Sequence, residues 1–177
     1  MAGINDGAKY IKSVPSALKI LEIVLLLVSI GFVGYFWDNW PGRDREDGDS
    51  DFIKVLKKDT DEFTKTDYIK IFLGSTVVAG IVALLFFLIF VAGIHKKIKF
   101  LNWGKTAAVF FFLTAVLMLV ASGLLANTLK YYKDHKVCDV LELFDLDSQC
   151  KQLTGGVVCG FIAGAVFLVD SIVHFKL

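Results

Sequence analysis

The sequence has little of what soluble chemistry is usually built from. Its three histidines do not fall at metal-ligand spacing, no glycine loop followed by lysine is present to cradle a phosphate, and there is no Asn-x-Ser/Thr sequon. Cysteine is scarce at three residues, and no Cys-x-x-Cys pair occurs, which argues against thiol redox catalysis. Net charge is only +1 and the lysines are scattered rather than gathered in a stripe, so nucleic acid is not an expected partner. One acidic string, Asp44, Glu46, Asp47, Asp49 and Asp51, alternates around Gly48 but lacks the frame and terminal Glu of an EF-hand, and reads as a solvated loop. No nucleophile stands beside a base. The expectation is a protein that is not an enzyme and holds neither cofactor nor metal.

Charge is also missing over long stretches. From Ile71 to Ile94 and from Thr106 to Leu129, 24 residues each, there is no Asp, Glu, Lys or Arg. As helices these stretches extend ~36 Å, against a hydrocarbon core of ~30 Å. The chain is 55% hydrophobic with 16 Phe, and the excess is gathered in blocks, which means lipid. Four segments qualify as spans: 14–37, 69–94, 103–129 and 153–175. In hydrocarbon a lone span must close its backbone hydrogen bonds internally, which an α-helix does. The 177 residues therefore predict one domain, an all-α membrane protein built as a four-transmembrane-helix bundle. Lys9 and Lys12 precede the first span and no small-residue cleavage site follows it, so it reads as a retained signal anchor.

Orientation comes from the short connection between the second and third spans, His95-Lys96-Lys97-Ile98-Lys99, which has three Lys and no acid. By the positive-inside rule it faces the cytoplasm, and four crossings then put both termini there as well. The outer loops carry 15 of the 18 acids. Their own lysines and arginines are spread over longer, acid-balanced loops that weigh less in the rule. Trp37, Trp40, Tyr68, Tyr131 and Tyr132 mark the outer interface and Trp103 an inner one.

The first outer loop turns at Asn39-Trp40-Pro41-Gly42 and continues into the acidic string. After it, Phe52, Ile53, Leu56 and Phe63 recur at roughly helical spacing among charges, which predicts a short amphipathic helix on the bundle or the headgroups. In the last loop Cys138 and Cys150 are expected to form a disulfide, worth about 3 kcal/mol in the loop-entropy model. Within that ring Val140, Leu141, Leu143, Phe144 and Leu146 make an apolar patch for membrane or partner. Cys159, inside an apolar run, has no polar neighbour to activate it.

Two features within the spans carry packing information. Gly156, Gly160 and Gly164 form a tandem GxxxGxxxG that opens one face of the fourth span to another backbone. Ser75, Ala79 and Ala83 of the second span offer a counterface; the alternative is a seam with a second copy or another membrane protein. Ionisable residues are the other feature: Lys19 and Glu22 in span one, Asp170 and His174 in span four, all near the inner end. Each is costly in lipid, so a polar cluster is expected, with Glu22 near His174 or Lys19 near Asp170. A proton or ion path would need polar groups continuing across the membrane, and only Ser29, Ser75, Thr76, Thr114 and Ser122 are there to supply it. Leu129, Tyr131 and Lys133 fit the loose sterol-contact pattern, which is frequent by chance.

The run Leu18-Lys19-Ile20-Leu21-Glu22-Ile23-Val24-Leu25 resembles the opening helix of MARVEL-domain proteins, with a basic residue ahead of an intramembrane Glu. Gly160-Phe161-Ile162-Ala163-Gly164, Phe167-Leu168-Val169-Asp170 and His174-Phe175-Lys176 are similar to the last helix of the chemokine-like-factor-like and MAL-related members. The resemblance covers about Tyr10 to Lys176. It departs in a longer, more acidic first outer loop and an almost absent C-terminal tail. The first loop lacks the paired Cys that accompany Trp in claudins, and the third lacks the Cys-Cys-Gly of tetraspanins. The resemblance implies a non-enzymatic scaffold for membrane apposition, vesicle traffic or cell junctions, with lipid, sterol-rich lipid included, and other membrane proteins as partners. The competing expectation is a small transporter or channel subunit using Glu22, Asp170 and His174.

Overall fold

The computed structural model describes residues 13–38, 63–94, 102–134 and 148–176. They form four helices: α1, Val14–Asp38; α2, Phe63–Val91; α3, Trp103–Asp134; and α4, Ser148–Lys176. Each contains a stretch long and apolar enough to cross a bilayer, and no strand occurs among the described residues. The chain is thus an all-helical, multi-pass membrane protein. The expected amphipathic helix before Phe63, the acidic string, the lysine hinge 95–99 and the loop with Cys138 lie outside the described residues.

The helices overrun the expected spans because a helix ends where its backbone bonds and packing end, not where hydrocarbon does. α3 starts at Trp103, where the Asn102 side chain caps it by accepting from the Lys105 N–H at 3.4 Å. It passes the expected end at Leu129 and reaches Asp134, since Tyr132 is buried against Phe36 with ring centroids 6.4 Å apart. At 32 residues α3 is ~48 Å long, more than a hydrocarbon core requires. α2 stops at Val91 instead of Ile94. There Gly93 adopts φ 67° and donates to the Phe90 carbonyl at 3.2 Å, a left-handed termination that glycine makes without steric cost.

Buried positions recur at alternating steps of four and three. On α1 they include Pro15, Lys19, Glu22, Leu26, Ser29, Val33 and Phe36. On α3 they include Gly104, Ala108, Phe111, Ala115, Met118, Ser122, Leu125, Leu129 and Tyr132. This is the 3.5-residue repeat of nearly parallel helices packing knobs into holes. The remaining faces are apolar and exposed, with Leu27, Val77, Leu88 and Leu113 among them, as a lipid-facing surface requires. Deep within the spans polar side chains turn inward: Ser29, Thr76, Ser122, Asp170 and His174 are all buried.

Neighbours follow chain order, α1 beside α2, α2 beside α3 and α3 beside α4, and α4 closes the ring against α1. The α3/α4 interface is the most extensive and α1/α4 the next. We call the end where α1 and α3 begin and α2 and α4 finish the base of the bundle.

Candidate functional site

The charged residues of α1 and α4 meet near the base, within about 12 Å of the helix ends at 1.5 Å per residue. Lys19 Nζ lies 2.6 Å from Glu22 Oε2 on its own helix and 2.5 Å from Asp170 Oδ2 on α4. On α4, His174 Nδ1 stands 3.1 Å from Asp170 Oδ1 and 3.0 Å from the Asp170 backbone oxygen. All four side chains are fully buried. Glu22 follows Lys19 by three and His174 follows Asp170 by four, spacings that put each pair on one helix face. Only α4 docking on α1 joins the two pairs.

Aromatic rings complete the enclosure. The Lys19 ammonium sits 3.2 Å from the centroid of the Phe111 ring and 5.2 Å from that of Phe167. Its donors are thus directed at two carboxylates and a ring face, an arrangement that replaces water around a desolvated cation. The His174 ring stacks on Phe90 at 5.5 Å and meets Phe111 edge to face at 5.0 Å. Phe111 belongs to α3 and Phe90 to α2, so the cluster engages all four helices. Beside it, the Ser171 hydroxyl donates to the Ala108 carbonyl at 2.7 Å and fastens α4 to α3. Glu22 Oε1 and His174 Nε2 are buried with no hydrogen-bond partner among the described residues.

The expected Lys19 to Asp170 contact is therefore made, whereas Glu22 turns to Lys19 and His174 to Asp170. The aromatic walls are what sequence reasoning missed. Phe167 had a readable signal, three residues before Asp170 on the same face. Phe111 stands in the run Phe110-Phe111-Phe112, where nothing local marks the inward ring.

Farther from the base, the α4 glycines sit where side chains of this chain come closest. A Cβ on Gly156 would collide with Val33 Cγ2 of α1, and one on Gly160 with Ser122 Oγ of α3 and, at 2.8 Å, with Phe72 Cε2 of α2. One on Gly164 would lie 2.9 Å from Leu119 Cδ2 of α3. At Gly156 the backbone approach is close enough for Ser29 Oγ to donate to the Gly156 carbonyl at 3.2 Å. The counterface is thus α1 and α3, and the assignment of Ser75, Ala79 and Ala83 to that role is corrected. Those three residues are buried on α2, but α2 is the diagonal neighbour of α4 and reaches Gly160 through the long Phe72 side chain.

Of the cysteine pair, Cys150 lies in the first turn of α4 and Cys138 outside the described residues. No curated protein and no solved structure matches the chain. The family model for the membrane-associating domain MARVEL matches residues 10–173, a stretch that enters all four helices and holds Lys19, Glu22 and Asp170. With four apolar spans, an all-helical bundle and that match over nearly the whole length, the chain belongs to the MARVEL family.

Proposed function

We propose that the chain is a non-enzymatic membrane organiser, a scaffold that draws lipid and other membrane proteins together in membrane apposition, vesicle traffic or cell junctions. Within its family it stands with the chemokine-like-factor-like and MAL-related members, a placement supported by the Lys19 and Glu22 register and the ending around Asp170 and His174. The observation that carries the reading is that interior hydroxyls at several depths are already bonded to backbone carbonyls. Thr76, Thr114 and Thr128 donate to the carbonyls of Phe72, Phe110 and Leu124 on their own helices, and Ser29 donates to Gly156. The Ser29 bond joins two helices and the threonine bonds satisfy their hydroxyls within one, which leaves little that continues across the bilayer. What the protein offers outward is an apolar belt and its loops.

In this reading both termini and the lysine hinge 95–99 are cytoplasmic, in a plasma, junction or vesicle membrane. The Cys138–Cys150 ring and the acidic loop face outside and meet partner proteins. Among the described cysteines only Cys159 is free, which supports the pairing.

A second reading, a small transporter or channel subunit, is favoured by the unpartnered Glu22 Oε1 and His174 Nε2. Reconstitution into liposomes separates the two. The scaffold should draw vesicles into apposition and leave imposed proton, cation and anion gradients intact. Flux that disappears in Glu22→Gln or Asp170→Asn would overturn the scaffold reading in favour of transport.

A further inference from the structure

We propose that the cleft between α3 and α4 at the base of the bundle is a binding site for one acidic phospholipid. The cleft has a volume of about 330 Å³ and opens on the lipid-facing surface. Val109, Phe112 and Leu113 form its α3 wall, and Ile172, Phe175 and Lys176 its α4 wall. Ala108 and Ser171 lie between the walls, and the Ser171 hydroxyl already donates to the Ala108 carbonyl, so no free polar group waits at that depth. Such a slot accepts hydrocarbon and offers nothing to a buried polar ligand.

Charge identifies the other end of the ligand. Lys176 belongs to the lining and stands at the end of α4. Lys105 precedes Val109 by four residues, so it shares the face that forms the α3 wall and lies one turn nearer the base. Both lysines are exposed. Residues 103–113 of α3 contain no acid, and the last acid of α4, Asp170, is buried on Lys19. Among the described residues, two ammonium groups thus stand at the mouth of an apolar slot with no free carboxylate on either wall. An acyl chain in the slot with an anionic headgroup on the lysines satisfies both halves, and basic sites between spans recognise acidic lipid in this manner. A zwitterionic lipid would gain little from two lysines, and a sterol has only a hydroxyl to offer them.

The test uses the full-length chain, delipidated in detergent and mixed with phosphatidylserine, phosphatidylcholine or cholesterol. Lipid retained per protein is counted by native mass spectrometry. Phosphatidylserine should be retained preferentially, and Lys105→Gln and Lys176→Gln should each weaken it about fivefold. Val109→Trp, which fills the slot and leaves both lysines in place, should abolish retention. Because the lysine variants change only exposed side chains, their unfolding temperatures should match the parent protein. Equal retention of phosphatidylcholine, displacement by cholesterol, or a preference that survives in the double lysine variant would each overturn the site.

Discussion

The base of the bundle and its middle are held by opposite means. At the base, Lys19, Glu22, Asp170 and His174 join α1 to α4 through charges sealed by Phe90, Phe111 and Phe167. In the middle, α4 meets α1 and α3 through positions with no side chain at all, Gly156, Gly160 and Gly164. The difference follows from the solvent. Lipid tails are as apolar as leucine, so apolar area alone does not drive helices together, and the bundle must rely on close contact or on polar groups that hydrocarbon rejects. Close contact tolerates no added volume, whereas a charge cluster tolerates no lost partner.

The widest separation between the two regions comes from removing their key element. Lys19→Met should destabilise the bundle by about 3–5 kcal/mol, because Glu22 and Asp170 would be left buried without their cation. Thermal unfolding in mild detergent reads this, and adding Asp170→Asn to Lys19→Met should recover part of the loss. If the double variant is no better than the single one, the base is not held by charge. In the middle, Gly160→Val should cost about 1–3 kcal/mol by the same assay, since the new atoms meet Ser122 and the Phe72 ring. Gly164→Ala should cost less, since it adds only a methyl and the two nearest atoms, Leu119 Cδ2 and Cγ at 2.9 Å, belong to a side chain that can shift. A Gly160→Val protein that unfolds at the parent temperature would show that the glycine face is not a tight interface within the chain.

Smaller effects sharpen the contrast. Ser29→Ala removes the one side-chain hydrogen bond described between α1 and α4 in the middle region, and should cost about 0.6 kcal/mol, the average for such bonds in membrane helices. A double-mutant cycle with Glu22→Gln should be additive, because the residues serve separate regions. Last, Gly31→Ala and Gly34→Ala should leave the unfolding temperature unchanged or raise it slightly, by about 0.5–1 kcal/mol at most, since an added Cβ meets nothing within 4 Å. Destabilisation there would mean that the exposed face of α1 packs against another molecule in the sample.

Legibility in the sequence followed range. The uncharged stretches 71–94 and 106–129 announced helices because hydrocarbon length and hydropathy are sums over consecutive residues. Gly93 shifted the end of α2, a local signal readable as a cap only once the backbone turn is seen. The four ionisable residues stood out because each is costly alone in lipid, and cost can be read without knowing the partner. Which of them pair could not be read, since both Glu22 and Asp170 are chemically able to take Lys19, and both do. The glycine face was legible, while its counterface was misread, because small residues on α2 look as suitable as Val33 and Ser122 until the ring order of the helices is known.

The sequence by itself determined that four helices lie in a membrane and that charged side chains in two of them must find partners. It did so through quantities local to a segment: length, hydropathy and the cost of a lone ion in hydrocarbon. Only the tertiary structure decided that α4 closes the ring between α1 and α3, that Phe90 and Phe111 wall the cluster, and that an apolar cleft opens beside Lys176. Those outcomes depend on which faces of separate helices meet, and in lipid that choice turns on shape complementarity across distant parts of the chain.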